Sequence, residues 1–314
     1  MRIAGLIALL GLLAAFASGC SDSEPASAEE IAQRKVKVAT TTNFITDTVR
    51  EIGGDRVEVT GLMGPGVDPH LYKATAGDVR TLGSADVIFY GGLELEGKMA
   101  DLLEKLANRQ PTQAAFAGIP EADLLDPPEG APESEQHDPH VWFDVTNWIH
   151  VSDTIAERLA RTDPAHADEY RANRDAYVAR LRAVDAEVEQ RMRRIPRAQR
   201  VLVTSHDAFH YFGERYDVDV AAIQGISTAA EATTADIERV AALLARRNVR
   251  SVFIESSVPR QTIEAVLASA RERGHEASVG GELFTDAAGD EGTPEGTYIG
   301  MVRHNAQAIE EGLK

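Results

Sequence analysis

The sequence predicts an α/β protein built as two (β/α) sandwich lobes with parallel-rich sheets, joined by one long rigid α-helix. Three observations carry this expectation. Apolar, strand-like runs alternate with helical segments in the first half and again in the second, which implies parallel sheets covered by helices. Between the halves a helical stretch runs without a breaker from Asp163 to Pro196. The chain has one cysteine in 314 residues, so no internal disulfide is available and a sizeable core must hold it.

The chain opens on Met1-Arg2, an uninterrupted apolar segment from Ile3 to Ala17, then Ser18-Gly19-Cys20. This is a signal peptide over residues 1–19. Its apolar part is shorter than the about 20 residues needed to cross roughly 30 Å of hydrocarbon. Cys20 follows small residues and resembles the lipid-modified cysteine of bacterial lipoproteins, although Ala17 stands where such signals usually carry Leu. Residues 20–34 then read as the lipidated cysteine and a flexible tether, because Ser21 to Gln33 lacks periodicity and is rich in Ser, Ala and Glu. The remaining chain divides into a lobe over 35–162, the linking helix over 163–196 and a second lobe over 197–314. A net charge of -18 argues against nucleic acid as a partner and suits a body that concentrates cations.

The first lobe begins with the alternating strand Val36 to Thr40, and Thr41-Thr42-Asn43 supplies caps for a helix through Phe44, Val49 and Ile52 that Gly53-Gly54 ends. A second strand from Val57 to Met63 runs into Gly64-Pro65-Gly66 and His70. A helix from Ala76 to Leu82 leads to a third strand, Val87 to Tyr90. The segment from Glu121 to Asp138 breaks the pattern: it is acidic and proline-rich, without Lys or Arg, and reads as a solvated loop. In the linking helix Asp163 is placed to cap and Pro164 suits the first turn; about 32 residues would span roughly 48 Å. Tyr170, Tyr177, Leu181, Val184, Val188 and Ile195 form its apolar stripe. In the second lobe strands are expected over Val201 to Thr204, Val218 to Ile223 and Val252 to Ile254, with a helix from Thr233 to Arg247. A helix is also expected to start at His206 and run through Phe212.

Three histidines and one aspartate stand just beyond apolar runs, where a loop can turn a side chain inward. His70 and His140 sit in the same tripeptide, Asp68-Pro69-His70 and Asp138-Pro139-His140, in which proline fixes the backbone before the imidazole. His206 closes an apolar strand and lacks the glycine-flanked serine or cysteine of a nucleophile elbow. His210, one helical turn on, is a lesser candidate for chelation with it. Asp286 follows Thr285, and that pair also reads as an ordinary helix cap before Ala287-Ala288. Together three imidazoles and a carboxylate make a complete donor set for a divalent transition metal. Asp68 and Asp138 are candidates to brace the histidines through ring nitrogens or backbone amides, and Glu255 to support the cleft.

The motifs MGPGVDPHLY, DVIFYGGLELEGKM, DPHVWFD, VTSHDAFHYFG, VFIESSVPR and LFTDAAG occur in order across about Lys35 to Lys314. In them the chain resembles the cluster A-I metal-binding solute-binding proteins of ABC importers, the TroA-, ZnuA- and PsaA-like family, and within it the type with three histidines and one aspartate. The resemblance implies a metal site in the cleft between the lobes, with His70 and His140 from the first lobe and His206 and Asp286 from the second. It implies an integral-membrane permease and its cytoplasmic ATPase as partners. The protein is expected to be exported, lipid-anchored at the outer face of the cytoplasmic membrane or in the periplasm, and monomeric. The loop 121–138 lacks the histidine-rich tract of many zinc-type relatives, and Glu94 stands where close relatives often have His, at a position not expected to touch metal. Imidazole-rich donors favour Zn2+ over Mn2+, and Fe2+ is the least expected cargo. Affinity is expected to fall as pH drops through the histidine range near 6.5, since protons compete for the ligands.

Two other classes compete with this reading. An exported zinc-dependent hydrolase would use Glu255 as general base, but needs an open metal position and has no HExxH motif here. An adhesin-type surface protein is the other, and no sequence feature specifies a host ligand.

Overall fold

The computed structural model describes residues 26–128, 131 and 136–314; the apolar leader, the lipidation candidate Cys20 and Glu129, Glu133 and Glu135 of the acidic loop lie outside the described residues. Among the described residues no helix is long and apolar enough to cross a membrane. The elements run α1 (Ala28–Ala32), β1 (Val36–Thr40), α2 (Asn43–Gly53), β2 (Val57–Gly61), α3 (Ala76–Gly83), β3 (Val87–Tyr90), α4 (Ala100–Ala107), β4 (Thr112–Ala114), α5 (Val145–Thr162) and α6 (Ala167–Arg193). The second half follows with β5 (Val201–Thr204), α7 (His210–Tyr216), β6 (Asp219–Ala222), α8 (Thr234–Arg247), β7 (Ser251–Glu255), α9 (Gln261–Glu272), β8 (Ser278–Leu283) and α10 (Tyr298–Leu313).

Every strand pair is parallel. The first sheet has the order β2-β1-β3-β4, with Val38 opposite both Val59 and Val87. In the second lobe β5 pairs with β6 and β7 with β8, and β5 packs alongside β7, so the same spatial order repeats. Alternation decides which face each residue serves. Val36, Val38, Val87 and Phe89 enter one core, while Ala39 and Ile88 face another under α3 and α4. Leu202 and Phe253 likewise point inward, and Val201, Val203 and Val252 point to the outer helices. The inward-facing residues of both sheets, with Leu181, Val184 and Val188 of α6 and Trp148 of α5, belong to a single continuous apolar cluster. The two lobes therefore share an interior, with helices as the filling between sheets.

The linking helix keeps its expected stripe but is shorter than the sequence suggests. Pro164–His166 forms a 3-10 turn, and the α-helix spans 27 residues, about 40 Å. Asp163 does not cap it. Its buried carboxylate instead accepts from Tyr170 Oη at 2.9 Å and Arg56 Nη2 at 3.2 Å, and pairs with His166 Nδ1 at 2.9 Å, which draws the first turn tight. The helix expected at His206 starts only at His210; the His206 carbonyl, which would begin the ladder, instead accepts from Thr204 Oγ1 at 3.0 Å and Ala208 N–H at 3.1 Å. Part of the expected tether is ordered: Ser27 and Glu30 make a reciprocal capping box on α1, and Ile31 is buried in the core.

Leu181 is fully enclosed on α6, so Leu181→Ala should cost about 2–5 kcal/mol. Because its cluster spans both lobes, urea unfolding should remain one transition for the whole chain; two separate transitions would contradict the shared core. Asp47 accepts from Tyr298 N–H at 2.9 Å, and burial pushes its carboxyl up to about 6. A folded pKa above the unfolded one costs stability as pH rises from about 4 to 6, and the cost is complete above that window. Asp47→Asn should therefore raise the thermal midpoint at pH 7.5, worth up to about 3 kcal/mol, and have no such effect near pH 3.5.

Candidate metal centre

Three of the four candidate ligands lie in loops that follow strands: His70 after β2, His206 after β5 and Asp286 after β8. His140 precedes the 3-10 turn Val141–Phe143 that leads into α5. Parallel sheets place these loops together outside their carboxyl ends, where α/β proteins bind ligands. His70, His140, His206 and Asp286 each direct one donor atom to a common point, all within 4.8 Å of one another. His140 and His206 are fully buried, Asp286 is 1% exposed and His70 6%, so the point is sealed from solvent and His70 is its least enclosed member.

The partners of the rings fix which nitrogens face inward. His140 Nδ1 lies 2.7 Å from Asp138 Oδ1, and His206 Nδ1 contacts Glu255 Oε2. A carboxylate only accepts, so each Nδ1 carries a hydrogen and each Nε2 is turned inward, where it offers a lone pair once the ring is neutral. Those two Nε2 atoms are 3.3 Å apart, and Asp286 Oδ1 lies 3.3 Å from His206 Nε2 and 3.7 Å from His140 Nε2. Lone pairs and a carboxylate oxygen at such separations repel unless a positive charge lies among them. The edge of a tetrahedron with metal–ligand bonds of about 2.05 Å is roughly 3.3 Å, so His140, His206 and Asp286 are spaced close to three corners of such a shell, while the four donor atoms together lie within 4.8 Å. His70 Nε2 and Asp286 Oδ1 are buried without a hydrogen-bond partner, as ligand atoms aimed at a cation would be.

Charge is arranged to match. Burial drives the His70 imidazole down to about 3, which leaves it neutral. At His206 burial acts in the same sense, but Asp286 and Glu255 outweigh it and raise its pKa well above the ordinary value. Burial would raise Asp286, and His206 with the other two rings holds it below the usual carboxylate range instead. The two carboxylates thus favour positive charge at this point.

The bracing residues differ in how they act. Asp138 Oδ1 accepts from the His140 backbone N–H at 2.9 Å as well as from the ring. Asp68 accepts from the His70 backbone N–H at 2.8 Å but turns its other oxygen to Thr228 Oγ1 at 2.5 Å. Glu255 accepts from the Ser205 and His206 amides at 2.6 and 2.9 Å in addition to the His206 ring. His210 stands outside the group, 2.9 Å from Asp207 and 3.7 Å from Asp138. Glu94 is exposed and also outside it, with a left-handed φ of 62°. The contacts of Thr228 and Ser257, whose hydroxyl donates to Asp286 Oδ2 at 3.0 Å, carry no signal in the sequence. Trp142 Nε1 donates to Thr285 O at 3.0 Å, which ties the His140 turn to the Asp286 loop.

The family model described as ZnuA, zinc-uptake complex component A, periplasmic, matches residues 38–312. The chain is similar to the manganese-binding lipoprotein MntA of Bacillus subtilis, 44% identical over 311 residues and 99% of each chain. It is similar to the zinc-binding protein TroA of Treponema pallidum, 42% identical over 312 residues, covering 99% of this chain and 98% of that one. The solved structure of the periplasmic zinc-binding TroA superposes with a TM-score of 0.85 at 44% identity, over 89% of this chain and 99% of that chain.

Removing the Glu255 carboxylate would leave two buried amides and a ring N–H without their acceptor. Glu255→Ala should weaken metal binding by about 10–100-fold, read by competition against a chelator of known affinity. An unchanged affinity would show that the brace is idle.

Proposed function

Since the chain belongs to the ZnuA/TroA family of metal-binding solute-binding proteins, we propose that it captures a divalent metal ion outside the cytoplasm and delivers it to an ABC importer. The cargo is held by His70, His140, His206 and Asp286. The observation that supports this most directly is their buried convergence, with donors contributed from both lobes. The ion is then a strut between the lobes. A permease, paired with a cytoplasmic ATPase, releases it by shifting one lobe slightly against the other.

Zinc is the proposed cargo, ahead of manganese and then iron. An imidazole-rich donor set suits zinc, and the 3.3 Å separations of His206 from His140 and Asp286 support a small tetrahedral shell. The protein is proposed to act as a monomer, exported by its leader and held by a lipid on Cys20 at the outer face of the cytoplasmic membrane or in the periplasm. A hydrolase is disfavoured because Glu255, its candidate base, already has both oxygens engaged by Ser205 and His206.

Metal analysis of the protein purified from its native organism under metal-limited growth tests the cargo: about one zinc per chain is expected, and stoichiometric manganese would overturn that choice. His206→Ala should lose roughly 100-fold or more in zinc affinity, taking one quarter of a shell worth about 10–16 kcal/mol. His210→Ala should change it only slightly. Equal effects of the two variants would refute the assigned donor set.

A further inference from the structure

We propose that Thr228 and Asp68 form a latch that seats His70 on the bound ion, so that their contact sets the rate at which metal leaves. This rests on the donor set proposed above and concerns its release. The two Asp-Pro-His turns are alike in sequence and in the hydrogen bond that the histidine backbone N–H donates to the aspartate, 2.8 Å in one and 2.9 Å in the other. They part at the second function of the carboxylate. Asp138 remains within its own turn and grips the His140 ring. Asp68 instead reaches from the first lobe to Thr228, in the loop between β6 and α8 of the second.

Among the described residues this is the only hydrogen bond from the loop 62–75 to the second lobe. The His70 ring has no carboxylate brace of its own; its Nε2 is unpartnered, and its centroid stands 6.2 Å from that of His206 against 5.2 Å for His140. Its position therefore depends on its backbone, which Asp68 holds, and Asp68 is held in turn across the cleft. The neighbouring Gly66 has φ +67°, and a Cβ there would come within 3.3 Å of Ser256 O, so the same loop meets the second lobe closely at another point. By contrast, the contacts deeper in the molecule, such as Asn43 with Ala288 in both directions and Tyr298 Oη to Trp142 O, involve neither the His70 loop nor Thr228. Breaking the latch frees one ligand of four and leaves the other three in place, which makes His70 the first to depart.

The test is the rate of zinc release from the full chain into excess chelator for Thr228→Val, which keeps shape but removes the hydroxyl, and Thr228→Ser, which keeps the hydroxyl. Losing one hydrogen bond to a carboxylate should make Thr228→Val release about tenfold faster. Thr228→Ser should release at the wild-type rate, and all three proteins should hold one zinc. A wild-type rate for Thr228→Val, or equal acceleration in both variants, would overturn the latch. Neither would touch the donor set, which stands or falls on zinc binding by His206→Ala.

Discussion

The structure depends on keeping three imidazoles and a carboxylate buried at one point. Burying such groups is expensive unless each polar atom has a partner or a compensating charge. The chain meets that demand in layers. Glu255 and Asp138 take the outer nitrogens of two rings, Ser257 takes the outer oxygen of Asp286, and the inner atoms are left facing one another. Much of the surrounding architecture serves this arrangement. The end of β7 supplies Glu255 to the amides beyond β5, which stitches the two strand pairs of the second lobe together at the place where His206 emerges.

The helices between the sheets determine how far the two halves can move. Side chains from both sheets, α5, α6 and α10 contribute to one apolar body, and Trp148 stacks on Tyr298 of α10 at 4.5 Å. A hinge made of exposed strands would let the halves swing freely, whereas here any large rotation would expose this interior. Small shear at the rim, where Asp68 meets Thr228, is the kind of movement that would leave this interior covered.

Much of the fold was legible because its elements are periodic and well punctuated. The strand Val87–Tyr90 and the stripe of Tyr177, Leu181 and Val188 come through as read, and the helix expected from Thr233 to Arg247 spans Thr234–Arg247 with Thr233 as its cap. Failures occurred where side chains act at a distance. Asp163 looks like a cap, yet its carboxylate is recruited by Arg56 from far upstream, and the start expected at His206 is lost because its carbonyl is taken by Thr204 and Ala208. The short segments α4, β4 and α9 were not anticipated, nor were α5, β8 and α10. Within the candidate site the histidines were legible because proline or a strand end precedes each. Asp286 was ambiguous by itself, since a threonine-aspartate pair before alanines serves a helix cap equally well, and the resemblance of LFTDAAG tipped it. Thr228 had no signal, because its partner Asp68 is 160 residues away.

The common interior has a mechanical consequence. A coordination bond has a short reach, so pulling a nitrogen back by about an ångström already forfeits most of its attraction. A stiff body can therefore surrender its ion without ever gaping, provided the stroke is concentrated on a single ligand. The penalty for stiffness is that thermal agitation seldom supplies that stroke unaided. The carrier can thus hold its load in transit and await the pull of a docked engine.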